Sequence, residues 1–199
     1  MRVAYRTFAS VSITGLIDTD LVAALPSSLK YLCHNGSGYD QVDVAACTAK
    51  GIRVSNVPTA VDDATADVNL FLIIGAIRGL NRGMAGLRRG EWLKGCKLGH
   101  DPEEKVLGIL GMGGIGRALK KRTDALGMKT IYHNRNRLSE ELEEGAEYVS
   151  FDELLSRSDV ISLNLPMNVS LFRDGREAGG VYKDRNTPAT SSPPPNSKG

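Results

Sequence analysis

The residues Gly111 to Gly116 read G-M-G-G-I-G and stand between an apolar run, Val106 to Leu110, and a helical pattern, Ile115 to Leu126. Thr130 to His133 follows as a second short strand pattern. Strand, tight turn, helix and strand make one βαβ unit, and this glycine spacing inside it is a dinucleotide fingerprint. Gly111 makes the turn, Gly113 lets the backbone approach a pyrophosphate, and Gly116 lets the helix pack against the strand. The helix start would offer unpaired N–H groups and a positive dipole end to the phosphates. In a chain with 22 glycines the pattern alone is weak. Its position between strand and helix makes it specific.

The polar cluster beyond the second strand bears on which dinucleotide is taken. An acidic residue about 20 positions past the glycines ordinarily holds the ribose hydroxyls of NAD. Here Asn134 stands eighteen residues after Gly116, followed by Arg135 and Arg137. An amide does not repel a 2'-phosphate, and guanidinium groups pair with one. A solvated basic loop is the plainer reading of the same residues. The pattern favours NADPH over NADH.

The elements that must position these residues follow an alternating plan. Val3 to Tyr5, Leu29 to His34 and Ile52 to Ser55 read as strands, with helices expected over Thr19 to Leu25 and Val42 to Lys50. Such alternation predicts an α/β fold with a parallel sheet and helices on its faces. After the second strand comes N-G-S-G-Y-D, Asn35 to Asp40. This is either an anion-facing loop at a strand's carboxyl end or a plain turn. Val61 to Arg78 predicts a long helix whose second half is apolar all round and therefore buried. Gly79 to Asp101, rich in Gly and Arg and holding Trp92, is either a partner-binding arm or a loose connection.

Composition bounds the function. At 199 residues and 41% hydrophobic the chain can build a core, and a net charge of +2 gives no sign of nucleic-acid binding. Cys33, Cys47 and Cys96 have no metal-ligand or disulfide spacing, so no metal is expected and a reducing compartment is. The N-terminus lacks a signal-peptide core, and no apolar run of about 18 residues occurs. A soluble, cytoplasmic protein without membrane association is expected.

Five motifs stand in a fixed order: N-G-S-G-Y-D, N-V-P-T-A-V-D-D-A-T-A-D, R-R-G-E-W, G-M-G-G-I-G-R-A and F-D-E-L-L-S-R-S-D-V-I-S-L-N-L-P. In that order they resemble the D-isomer-specific 2-hydroxyacid dehydrogenases, and Asn134-Arg135 is similar to the glyoxylate and hydroxypyruvate reductase branch. The resemblance runs from Tyr5 to Asn168. It implies a flavodoxin-like substrate domain, here partial, over residues 1–60. An interdomain helix and dimer arm would occupy 61–104, and the first half of a Rossmann-type nucleotide domain 105–168. The implied reaction is hydride transfer from NAD(P)H to a small 2-oxo acid, in a homodimer joined through 61–104. Position by position, Ser37 and Gly38 match the substrate-carboxylate loop and Thr65 an interdomain-helix residue near the cofactor. Gly111, Gly113, Gly114, Ile115 and Gly116 match the phosphate turn. Asn134, Arg135 and Arg137 match the adenosine-ribose region, and Leu165 and Pro166 lie beside the nicotinamide half of the groove.

The resemblance also implies what to look for and not find. Ketone reduction needs an acid for the developing alkoxide and a cation for the carboxylate. The family places a His–Glu pair and an Arg in those roles beyond N-L-P, and this sequence carries none of them. His34, His100 and His133 fall outside the catalytic motifs, so turnover is not expected. The alternatives are a cofactor-binding fragment, or an interaction protein that pairs with a full-length subunit. Residues 169–199 match nothing in the family and are Pro- and Gly-rich, so a disordered tail is expected. The break at Asn168 suggests translated intron or out-of-frame sequence, or a natural linker. The chain reads as truncated at both ends. In the Rossmann half, strands near Val106, Thr130, Glu147 and Val160 are expected in the order 3-2-1-4.

Overall fold

The computed structural model describes residues 2–92 and 94–165. Pro166 and the tail expected over 169–199 lie outside the described residues.

The first unit contains β1 (Val3–Thr7), α1 (Val11–Thr14), α2 (Thr19–Ala24), β2 (Tyr31–Asn35), α3 (Val44–Ala49) and β3 (Arg53–Ser55). Its strands form a parallel sheet in the order β1-β2-β3, with Val3, Tyr31 and Arg53 in register. Side-chain carboxylates start both longer helices: Asp18 accepts from the Leu21 N–H and Asp43 from the Ala46 N–H, each at 2.9 Å. The Lys50 ammonium closes the other end of α2, donating to the carbonyls of Val22, Ala23 and Leu25 at 2.6–2.7 Å. Ile17, Val22, Leu29, Leu32, Val42, Cys47 and Ile52 form the core between sheet and helices.

Two helices lead to the second unit, α4 (Asp62–Ile77) and α5 (Leu80–Arg88). Gly79, with φ of 65°, separates them, and their axes differ by 71°. No single helix among the described residues is long and apolar enough to cross a membrane. The helix expected over Val61 to Arg78 forms, but its second half is not buried on all sides. Ala66, Ile73 and Ile77 face the nucleotide unit, whereas Val68, Phe71 and Leu72 are exposed, because α4 packs against that unit along one stripe only. Within the segment read as an arm or loose connection, α5 is an ordered helix. The chain then returns past α4, where the His100 N–H reaches the Ile77 carbonyl and Arg78 pairs with Asp101.

The second unit runs β4 (Val106–Leu110), α6 (Gly114–Asp124), β5 (Lys129–His133), α7 (Glu140–Glu143), β6 (Glu147–Tyr148), α8 (Phe151–Arg157) and β7 (Val160–Leu163). All pairings are parallel and the order is β6-β5-β4-β7, the 3-2-1-4 arrangement expected of a half Rossmann sheet. β4 is central. Its Leu107 and Ile109 are fully buried with Met112, Leu119 and Tyr132, and α4 contributes Ala66, Ile73 and Ile77 to the same core. The first long helix after the β1–β3 sheet is therefore built into the second unit.

Candidate functional site

The glycine turn sits at the carboxyl end of β4, where strand order reverses between β5 and β7. Gly111 has φ of +94°, and a Cβ there would lie 2.7 Å from the Asn164 carbonyl oxygen and from Leu165 Cδ2. This position needs glycine for both conformation and space. At Gly116 a Cβ would stand 2.8 Å from the Gly111 oxygen and 3.1 Å from Ile109, so α6 lies directly on the strand. Gly113 is different: a Cβ there would meet no atom within 4 Å. It is also the N-cap of α6, and a glycine N-cap supplies no side-chain acceptor. The first-turn N–H groups, including those of Gly114 and Ile115, are left for an anion from outside the helix. An open approach over an uncapped helix start fits the pyrophosphate of a dinucleotide.

Gly114 serves another purpose. A Cβ there would collide with the Asp62 carboxylate, so Gly114 lets the start of α4 come down on the turn. Three further ties fix that placement. Arg122 on α6 donates to Asp67 at 2.6 Å and to Asp63 at 3.1 Å, and Asn69 donates to the Asn164 side chain at 3.1 Å. Thr65 lies in this first turn of α4, with its hydroxyl donating to the Val61 carbonyl at 2.7 Å.

The loop after β5 carries Asn134, Arg135 and Arg137, the residues expected at the adenosine ribose. Asn134 Oδ1 accepts the Met112 N–H at 2.7 Å, so its side chain clasps the glycine turn. Its carbonyl accepts the Tyr148 hydroxyl at 3.1 Å. Arg135 is exposed and has no ion pair among the described contacts. Arg137 is held elsewhere, donating through Nε and an Nη to the two oxygens of Glu143 at 2.8 and 3.0 Å. The buried Tyr132 hydroxyl donates to Glu143 at 2.7 Å and accepts the Leu138 N–H at 3.0 Å. Arg137 and Tyr132 hold the Glu143 carboxyl down at about 2, against the opposing pull of burial. Burial, with the neighbouring carboxylate, pushes the Tyr132 phenol up. Of the two arginines expected at the ribose, the structure leaves one uncommitted.

The first unit carries the Asn35–Asp40 loop, expected at the substrate, at the carboxyl end of β2. Three successive carbonyls turn inward: Gly36 accepts the Val57 N–H at 3.0 Å, Ser37 the Asn56 amide at 2.8 Å, and Gly38 the His34 Nε2–H at 2.9 Å. A trans peptide carries its N–H opposite its carbonyl. The N–H groups of Ser37 and Gly38 therefore point away from the anchoring residues, the arrangement an anion-facing loop requires. Of the two side chains that make this possible, Asn56 opens the N-V-P-T motif and His34 lies in none of the five motifs. Leu165 lies against the glycine turn, and the Pro166 expected beside it falls outside the described residues.

A half Rossmann sheet with an uncapped glycine turn at its switch point defines a dinucleotide-binding α/β protein. The particular family follows from comparison with known proteins. Residues 70–171 match the family described as D-isomer specific 2-hydroxyacid dehydrogenase, NAD binding domain. The chain is 59% identical over 168 residues to 4-methyl-2-oxopentanoate reductase A of Aspergillus oryzae, covering 84% of this chain and 51% of that protein. To glyoxylate reductase 1 of Saccharomyces cerevisiae it is 46% identical over 174 residues, covering 84% and 50%. A crystal structure of a glyoxylate reductase from Paecilomyes thermophila superposes with a TM-score of 0.82 at 56% identity, over 84% of this chain and 51% of that one. The chain belongs to the D-isomer-specific 2-hydroxyacid dehydrogenase family. It spans about half the length of the curated relatives it matches.

Proposed function

We propose that this chain is the nucleotide-binding portion of an NADPH-dependent reductase of small 2-oxo acids, glyoxylate or hydroxypyruvate, and that the chain by itself binds cofactor without turnover. The observation that carries the reading is the joined pair of sites around Met112. The uncapped start of α6 offers N–H donors for a pyrophosphate, and Asn134, pinned to the Met112 N–H, is followed by the uncommitted Arg135 where NAD sites ordinarily present a carboxylate. NADPH, when bound, would supply the hydride. Around it the chain's residues bind and orient: Gly113 and the α6 N–H groups hold phosphate, Arg135 pairs with the 2'-phosphate, and Ser37 and Gly38 offer N–H donors to the substrate carboxylate.

In this reading none of the three histidines supplies the proton for the alkoxide: His100 lies exposed on the return past α4. His34 is buried and spends Nε2–H on Gly38, and His133 spends Nδ1–H on the Val149 carbonyl at 2.8 Å. Without an aligned acid, reduction slows by about 10²- to 10⁴-fold. Fluorescence titration with NADPH and NADH, followed by NADPH oxidation with added glyoxylate, tests the reading. Tighter saturable binding of NADPH with no oxidation is expected. Equal affinity for the two cofactors would remove the 2'-phosphate assignment, and glyoxylate-dependent turnover would overturn the binding-only assignment.

A second copy of the chain is the partner favoured by one further observation. Val68, Phe71 and Leu72 on α4 continue into Leu80, Met84 and Leu87 on α5 and Trp92 beyond it, all exposed. Exposed apolar side chains gathered on successive helices mark an interaction site. Sedimentation should show a dimer that Phe71→Glu dissociates, and a monomer at every concentration would exclude the pairing.

A further inference from the structure

The loop that follows β5 is tied at both ends. Asn134 is fastened to the glycine turn through Met112 and to Tyr148 through its carbonyl, and Leu138 is fastened to the Tyr132 hydroxyl. Arg135 and Asn136 are exposed between the two ties, and Arg137 lies against the second. Glu143 organises that second tie. Its side chain is only 6% exposed, and its two oxygens take two bonds from Arg137 and one from Tyr132.

We propose that Glu143 sets how strongly the adenosine end discriminates NADP from NAD: by holding Arg137 in a two-point ion pair it withdraws that charge from the 2'-phosphate and leaves recognition to Arg135. The inference rests on the NADPH reading above and deepens it. A parallel two-bond pair between guanidinium and carboxylate is the strongest geometry available to either group. Turning Arg137 toward a phosphate would abandon a carboxylate that has almost no solvent to replace it, and an uncompensated buried charge is costly. The pair as a whole is neutral, so it adds no net attraction for a dianionic group beside it. Glu143 acts here as a positioning residue and has no contact with the cofactor in this account.

The test is the ratio Kd(NADH)/Kd(NADPH), measured by fluorescence titration of the full chain, with a thermal melt to confirm folding. Arg135→Gln should lower the ratio by about tenfold to a hundredfold, the range of one hydrogen bond to a charged group, with NADH affinity nearly unchanged. Glu143→Gln frees the Arg137 charge and should raise the ratio. The decisive variant removes both charges of the pair: Arg137→Gln with Glu143→Gln should keep the wild-type ratio within about twofold. This double variant decides the matter even if Glu143→Gln alone fails to fold. A tenfold fall in its ratio with intact NADH binding would show that Arg137 reads the phosphate, overturning the inference while the NADPH reading stands. A wild-type ratio of one that Glu143→Gln raises would remove the NADPH reading and keep the role of Glu143. Absence of saturable binding by every variant would remove both.

Discussion

The two sheets of this molecule are made from the same kind of sequence, strands alternating with helices, yet they close differently. The nucleotide sheet places β4 between β5 and β7, and its core draws in α4 from outside the unit. The first sheet has three strands, with β1 at an edge and its Val3 and Tyr5 52% and 67% exposed. Its core of seven residues lies between the strands and two six-residue helices. The fuller core therefore lies around the glycine turn, while the Asn35–Asp40 loop is carried by the less covered sheet.

The largest effects should come from breaking each core in turn. Leu107→Ala in β4 and Leu32→Ala in β2 each remove a fully covered side chain, at a cost of about 2–5 kcal/mol. Their reach should differ. Hydrogen exchange is expected to show Leu107→Ala releasing protection in β4 to β7 and in α4, which shares the damaged core, and Leu32→Ala releasing only β1 to β3. Uniform loss in both variants would mean that the units unfold as one. Next come the glycines. Gly111→Ala combines a strained φ with a Cβ 2.7 Å from the Asn164 carbonyl and should cost about 3 kcal/mol in denaturant unfolding. Gly113→Ala meets nothing within 4 Å and should leave stability within about 0.5 kcal/mol of the parent while abolishing NADPH binding. A stable Gly111→Ala protein, or a Gly113→Ala protein that still binds, would detach the turn from the role given to it.

This contrast also explains what the sequence made legible. The β4-α6-β5 unit and its glycine turn were readable because their information is local: a buried apolar run, glycines at fixed spacing and a helix pattern lie within about thirty residues, whereas the order of all four strands came from the Rossmann pattern. The distance from Gly116 gives Asn134 its expected place at the ribose, but its bond to the Met112 N–H was not legible, since either end of an amide side chain could have faced the loop. Arg137 illustrates the same limit more sharply. Its type suggested a phosphate ligand, and only the fold brings Glu143 beneath it. Gly114 read as part of a phosphate turn, whereas its lack of a side chain also admits Asp62 from a helix fifty residues earlier. The exposed stripe of α4 was hidden because a helix apolar all round does not say which side meets its own chain.

Acid should separate the two regions as well. The Glu143 carboxyl is held at about 2 by Arg137 and Tyr132. A carboxyl lowered on folding contributes stability that is complete above its unfolded value near 4.5 and is lost as pH falls toward 2. Loosening of the loop after β5, followed by the amide signals of Asn134 to Leu138, is therefore expected between about pH 4.5 and pH 2 and not above it. Arg137→Gln should move that loosening to higher pH. No movement would mean that the ion pair does not hold the loop in solution.

The smallest effects belong to the helix caps, where the contrast between the sheets is most finely tested. Ser150 starts α8 with a reciprocal box: its hydroxyl accepts the Glu153 N–H at 3.2 Å, and the Glu153 carboxylate accepts the Ser150 N–H at 2.9 Å. Ser150→Ala should cost about 1 kcal/mol, because α8 is also fixed by Leu154 packed on the nucleotide sheet. Asp43 carries more in the thinner unit. Besides capping α3 it accepts the Thr19 hydroxyl of α2 at 2.8 Å, so one carboxylate joins both helices over the core. The Ala46 N–H and the Thr19 hydroxyl hold that carboxyl below the usual range. Asp43→Ala should therefore destabilise more than Ser150→Ala, with the loss confined to β1 through β3 in hydrogen exchange. If the two substitutions cost the same, the first sheet does not depend on side-chain ties more than the nucleotide sheet does, and its exposed strand is not a sign of weaker closure.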